Sequence, residues 1–446
     1  MKKQKYLNTL IALVVLAATW GAFTYYDKHK AGEKPVAETS NQEKIFSLDA
    51  QHIQSITFKP RDGDAFTCRR EGGKWTITDP RHLEVDQGNF SGVLNSLTTA
   101  TVDQVADPNP TSLKDFGLDP PAFSLEITTD AKPSSYTLLL GDDTPTSGGT
   151  YAQISGNPRV ITLASYLKSS LEKKMFDLRD RRALTLEAEQ LQKIAVEYKG
   201  THWTLEKNPE GVWDLVLPPP VRADRFTVDG LVSQLRGLTM QTIAAEDKKK
   251  GGDYGFGTPE LHLELTGSEG TQTIVVGKKE KDAERYFAIN SALDPVFTLN
   301  SEFVTQFKKD QADLREKDLF SFSAFDVKRV EVDTPKGHWV FERQGNQWKQ
   351  TAPKSKNVNS DKMDTFLTHL RDLRAESFPK GGSLADFGLA KPPYRFNVQS
   401  GDKNTTEIVE AAKSGDHVYA RRSTDPLPSE LPKTALDDVE KSLGEL

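Results

Sequence analysis

Apolar and polar residues alternate again and again beyond residue 44, the period of a strand with one buried face. The segments HIQSITFK, QLQKIAVEY and DVKRVEVD set Ile53/Ile56/Phe58, Leu191/Ile194/Val196 and Val327/Val330/Val332 in parallel. Each leads to a second strand carrying Phe66, Trp203 or Trp339, and then to a third carrying Trp75, Trp213 or Trp348. A Pro-containing stretch follows, with Asp86, Asp224 or Asn359 before an amphipathic helix, where a short side chain can cap free N–H groups. Downstream, FSLEIT, LHLELT and YRFNVQ alternate again, followed by YTLLLG, QTIVVG and TEIVEA and then by TYAQI, RYFAI and HVYAR. A helix such as ASYLKSSLEKKMFDL closes the unit.

The pattern therefore repeats at domain length. Trp75, Trp213 and Trp348 are separated by 138 and 135 residues, and Leu97, Leu235 and Leu370 keep the same two intervals. A period this long implies tandem domains, because solenoid repeats run roughly 20–50 residues. The expected fold class is α+β: three homologous modules at 45–181, 182–317 and 318–446 with mostly antiparallel sheets. Each holds about three strands, a helix, four strands and a helix.

Ahead of the modules the pattern changes. Lys2, Lys3 and Lys5 precede a run from Tyr6 to Tyr26 without a charged residue. As a helix that run rises about 30 Å, the thickness of a bilayer's hydrocarbon core. Trp20, Tyr25 and Tyr26 stand at its far end, where amphipathic rings favour the headgroup layer. A cleaved signal peptide is the competing reading. The run is long for a signal core, bulky Trp20, Phe23 and Tyr25 disfavour a small-x-small cleavage site, and no Cys directly follows for lipid attachment. The expectation is a cytoplasmic N-terminus at 1–5, an uncleaved transmembrane helix at 6–26 and a polar linker at 27–44. The modules then lie on the periplasmic side of a bacterial inner membrane.

The tetrapeptide Asp-Phe-Gly-Leu occurs at 115–118 and at 386–389, the first three residues being a metal-binding motif of protein kinases. The kinase reading fails, since no His-Arg-Asp with a following Asn is present and YGFGTPE lacks the third glycine of a phosphate loop. The stretch instead predicts a short helix ending in Gly117 or Gly388 in the left-handed conformation. Leu113 or Leu384 then falls at C3 and Leu118 or Leu389 at C″, the positions of a Schellman cap. Pro120-Pro121 and Pro392-Pro393 forbid further helix. The second module keeps Gly255 and Phe256 but has Gly251 where the C3 leucine stands, which predicts a weaker cap.

Composition narrows the chemistry. A net charge of −6 offers no basic field for nucleic acid. The single cysteine, Cys68, excludes an internal disulfide and any multi-Cys metal site, and reads as a small, half-buried strand residue. His202 and His338 precede strand aromatics and read as solvent-side strand residues rather than metal ligands. Asp177, Arg179 and Asp180 recur as Asp313, Arg315 and Glu316 at matching module junctions. An arginine-activated carboxylate pair is one reading; exposed ion pairs at a hinge, repeated with the junction, are the simpler one. No Walker loop, Gly-x-Ser-x-Gly elbow, His-Glu-x-x-His or EF-hand loop occurs. No catalytic, cofactor-binding or metal-binding residues are assigned, and no cofactor is expected. Trp75, Trp213, Trp348, Gly117, Gly255 and Gly388 form the structural signature, and Trp203 and Trp339 are the candidate binding residues.

The N-terminal anchor, the Trp followed by Pro and by Val85-Asp86, the Phe-Gly-Leu…Pro cap and the junction Leu178 to Arg182 together resemble the bacterial domain-of-unknown-function 4340 family, over residues 45–446. That resemblance implies an auxiliary protein of an ABC-2 type transport system, including those of gliding motility. Its partners would be an integral membrane or envelope protein such as an ABC-2 permease, and the bilayer through residues 6–26. The expectation is a non-catalytic interaction or scaffold protein. A glycan- or peptide-binding module and a hydrolase with a non-local active site remain the alternatives. Exposure of Trp203 and Trp339 favours binding, and their burial favours a scaffold.

Overall fold

The structure, a computed structural model, describes residues 43–145, 148–250 and 252–446. The expected anchor at 6–26 lies outside the described residues. Among those described, no helix is long and apolar enough to cross a membrane.

In the first module, β1 (Ile53–Pro60), β2 (Phe66–Glu71), β3 (Lys74–Asp79) and β4 (Leu83–Glu84) precede helix α1 (Gln87–Thr99). Strands β5 (Gln104–Asp107), β6 (Phe123–Thr129), β7 (Ser135–Asp143), β8 (Gly149–Ile154) and β9 (Val160–Ala164) follow, then α2 (Ser165–Leu171) and α3 (Met175–Leu178). The second module repeats this order. It runs β10 (Leu191–Tyr198), β11 (Thr201–Lys207), β12 (Trp213–Leu215), β13 (Val221–Arg222) and α4 (Arg225–Arg236). It continues with β14 (Ile243–Ala245), β15 (Leu261–Gly267), β16 (Gly270–Lys279), β17 (Arg285–Asn290), β18 (Val296–Asn300), α5 (Ser301–Phe307) and α6 (Gln311–Leu314). The third has β19 (Val327–Thr334), β20 (Gly337–Gln344), β21 (Gln347–Ala352), β22 (Lys356–Val358) and α7 (Ser360–Arg371). After these come β23 (Tyr394–Ser400), β24 (Thr405–Ser414), β25 (His417–Arg422), β26 (Ser429–Leu431) and α8 (Ala435–Gly444).

Every sheet is antiparallel, in the orders β4-β3-β2-β1-β6-β7-β8-β9-β5, β13-β12-β11-β10-β15-β16-β17-β18-β14 and β22-β21-β20-β19-β23-β24-β25-β26. The fold is thus α+β with tandem modules, each burying its own apolar cluster under its helices. Contacts divide the chain after Asp180 into two compact units, the second holding the second and third modules.

Two features depart from the expected order. Short edge strands β4, β13 and β22 precede the long helices, and β5 and β14 close the far edge of two sheets. The expected closing helix is broken into α2 and α3. The carboxylate of Asp177 takes the N–H of Lys174 at 2.9 Å and starts a new turn, and Asp313 repeats this with the N–H of Asp310 at 3.2 Å.

The caps form as the residue types require. Asp86, Asp224 and Asn359 accept from the N–H of Asn89, Thr227 and Lys362 at 3.0, 2.8 and 3.1 Å. Gly117 and Gly388 sit at φ 64° and 71°. The N–H of Leu118 donates to the Leu113 carbonyl at 3.0 Å and that of Leu389 to Leu384 at 2.7 Å, the long bond of a Schellman motif. Gly255 shares the left-handed φ, at 79°, while Gly251 lies outside the described residues.

Cys68 lies opposite Ile56 and is fully buried. Desolvation pushes its thiol up to about 12. Native protein should therefore resist a thiol reagent at about pH 8 and label only as the first module unfolds. Rapid stoichiometric labelling of the folded chain, followed by absorbance, would contradict this placement.

Candidate functional site

In an antiparallel pair, residues directly opposite one another share a sheet face. Trp203 faces Val196 on the inner side of the second sheet and is 2% exposed. It occupies the place that Phe66 holds opposite Phe58 in the first module. The expectation that Trp203 presents a ring to a ligand is therefore corrected: it is core. Trp339, opposite Val332, is half-buried and borders a small cavity of about 310 Å³ with Lys336, Glu440 and Leu446. Of the repeated tryptophans, Trp75 and Trp348 are buried, whereas Trp213 is partly open.

The opening at Trp213 has local causes. In the first module, the Gln87 amide seals the space beside the Trp strand. It accepts from the Trp75 N–H at 3.0 Å and donates to the Trp75 and Val85 carbonyls at 2.8 and 3.0 Å. Phe90 then packs on the Trp75 ring with centroids 4.4 Å apart. In the second module Arg225 stands where Gln87 does and Val228 where Phe90 does. The Trp213 carbonyl accepts from the N–H of Ala223 at 3.0 Å, and Arg225 pairs with Asp229 along the helix instead.

The result is a groove of about 530 Å³ between the turn at Ala188–Gln190, strands β11 to β13 and helix α4. Arg225, Asp229, Val232 and Arg236 line it at helical spacing from one face of α4. Lys207 and Arg222 enter from the sheet. Lys207 Nζ lies 5.1 Å from the Trp213 ring centroid and donates to the Glu189 carbonyl at 3.3 Å. Arg236 pairs with Glu189, and Arg225 with Asp229 at 3.5 Å. Asn208 shapes the turn that presents Val212 and Trp213, its Oδ1 accepting from the N–H of Val212 at 3.0 Å. Its Nδ2 donates to Asp214 at 3.2 Å. Burial holds the Asp214 carboxyl above its usual range, partly opposed by Asn208 and Arg222. Four cationic and two anionic side chains line the groove, against a chain that is acidic as a whole.

A repeated cation escaped the sequence reading. Arg70, Lys207 and Arg343 hold matching places on β2, β11 and β20. Arg70 donates to the Ala50 and Gln51 carbonyls at 2.9 and 3.0 Å and lies 5.2 Å over Trp75. Arg343 donates to the Phe325 carbonyl at 2.5 Å. The cation ties the second strand to the turn before the first. It is legible in CRRE, LEKN and FERQ only once the strand register is known.

The junctions also differ from expectation. Arg179 and Arg315 are 5% and 4% exposed, buried rather than at the surface. Bridges Val85–Arg179 and Ala223–Arg315 draw them onto the sheet edge, with the N–H of Asp86 on the Leu178 carbonyl at 2.9 Å and that of Asp224 on Leu314 at 2.8 Å. His202 and His338 are exposed strand residues, and no cluster able to hold a metal is found among the described residues.

A family model described as a domain of unknown function, DUF4340, matches residues 75–214 and again 213–383. The chain belongs to the DUF4340 family. Each match starts at a repeated tryptophan, Trp75 or Trp213, so the family unit is phase-shifted relative to the sheets, which close at Ala164 and Asn300. No curated protein and no solved structure matches the chain.

Proposed function

We propose that this DUF4340 protein is a membrane-anchored, periplasmic, non-catalytic interaction or scaffold protein, accessory to an ABC-type transporter or another envelope assembly. The observation that carries the reading is where the repeated residues are used. Trp75 and Trp348 fill cores, Gly117 and Gly388 close caps, and Asp86, Asp224 and Asn359 start helices. Most of what the copies share thus maintains the fold. Such a chain suits docking better than turnover. The uncharged run at 6–26 supplies the attachment to the bilayer.

The test is crosslinking in intact cells, then detergent extraction through a C-terminal tag and mass spectrometry. Reproducible recovery of an ABC permease or another integral envelope protein is the expected result. Recovery of the chain alone, with its anchor intact, would defeat a stable assembly role. A second reading, capture of a small glycan or peptide, is favoured by the partly open Trp213 in its groove.

A further inference from the structure

The groove beside Trp213 is absent from the matching place in the first module, where Gln87 and Phe90 close it. The second module therefore has its own surface here, and the composition of that surface limits what fits. Its volume of about 530 Å³ is within the ~300–1,000 Å³ typical of ligand sites. Its polar lining is entirely ionic: Lys207, Arg222, Arg225 and Arg236 against Glu189 and Asp229. No Asn, Gln, Ser, Thr or Tyr lines it. Charged side chains also bond sugar hydroxyls, but the excess of cations favours an anionic occupant, whose carboxylates find guanidinium groups. Arg222 forms no direct ion pair among the described residues, although its charge acts on Asp214 opposite it on the neighbouring strand, while Arg225 and Arg236 already hold one acid each.

Apolar surface accompanies the charge. Val212 lines the groove at 39% exposure, and in the same module Val216 and Phe226 are 42% and 82% exposed. Trp and Arg beside exposed aliphatic and aromatic side chains is the composition of a protein-docking hot spot. From this charge complementarity and apolar fringe we infer that the groove docks an acidic peptide segment of a partner protein. In it carboxylates meet Arg222 and Arg225, and an apolar side chain covers the open part of Trp213. The inference rests on the interaction-protein reading above and deepens it.

The test places the photo-crosslinker p-benzoylphenylalanine at position 212 of the full-length chain in cells, with position 105 in the first module as control. Val105 is 45% exposed and remote in sequence from the groove. After irradiation, the joined peptide is sequenced by mass spectrometry. The expected adduct from position 212 is an Asp- or Glu-rich segment of another protein, not seen from position 105. Charge reversal by Arg222→Glu with Arg225→Glu should cut its yield about tenfold or more, while Lys391→Glu on the third module leaves it unchanged. Arg225 is exposed and Arg222 partly buried, and circular dichroism of the purified variant checks that it is folded.

An adduct with a neutral or basic segment, or with a glycan, overturns the inference. So does an adduct indifferent to charge reversal, or one shared with position 105. Absence of any adduct at position 212 while whole-chain crosslinking still captures a partner defeats the groove alone. Absence of both defeats the interaction reading with it.

Discussion

Gly277→Ala is expected to cost the second module about 3 kcal/mol or more, lowering its melting midpoint by about 10 °C. A Cβ at Gly277 would lie 2.0 Å from the Tyr254 carbonyl oxygen and 3.0 Å from the Phe256 ring. That carbonyl also accepts the N–H of Lys278 at 2.9 Å, so the loop cannot lift away without losing the bond. Gly141 stands at the same place in the first module, where a Cβ would meet the Phe116 carbonyl oxygen at 2.1 Å, and Gly141→Ala should behave alike. The third module is the internal control: Ala412 occupies the position at 2% exposure. The difference follows from strand geometry. Register shifts between Leu140 and Asp143 and between Val276 and Lys279 mark a bulge at each glycine. Pairing of β24 with β25 runs unbroken from Val409 to Ser414. Ala412→Gly should therefore cost only about 1 kcal/mol, through chain entropy and lost burial. Calorimetry of the full chain in detergent, resolving each module's transition, checks all three. A Gly277→Ala transition within about 1 kcal/mol of the parent would show that cap and strand can separate without penalty.

Most of the scaffold could be read from residue types. Strands with an inner aliphatic face, such as the stretch with Ile194 and Val196, follow from period two, and the helix starts follow from Asp or Asn before an apolar stripe. The Asp-Phe-Gly-Leu caps follow from one glycine and two leucines at fixed offsets. Edge strands were not readable. β4 and β13 have two residues each, too few to show a period, and β5 exposes three of its four residues.

The groove was hidden for another reason. Trp75, Trp213 and Trp348 look alike in the sequence, and what separates them is the partner each meets from the helix. Gln87 and Phe90 close one, Met363 sits at the matching position of the third, and Arg225 and Val228 leave Trp213 open. Trp203 was misjudged because its face depends on which residue of β10 it opposes, and register is a tertiary property.

The other large effect concerns the junction of the second and third modules. Arg315→Ala should cost about 3–5 kcal/mol, the range for breaking a buried charged pair by removing one partner. The guanidinium is 4% exposed and lies 4.2 Å over the Phe378 ring. Its Nη2 donates to the Leu427 carbonyl at 2.8 Å and lies 3.6 Å from Asp425 Oδ2. Leu427 itself packs against the core of the second module. Arg315 thus ends the second module while its side-chain partners Phe378, Leu427 and Asp425 belong to the third, and removing it takes away packing, a hydrogen bond and a charge partner at one point. The loss should appear as decoupling: calorimetric transitions of the two modules that overlap in the parent should separate in Arg315→Ala. Arg315→Lys should recover little, because an ammonium cannot lie flat on Phe378 while donating to Leu427. A double-mutant cycle with Asp425→Asn should give a coupling of about 1 kcal/mol or more. If Arg315→Ala keeps the parent's overlapping transitions, the junction is held by apolar contacts such as Leu427 and the arginine is a passenger there.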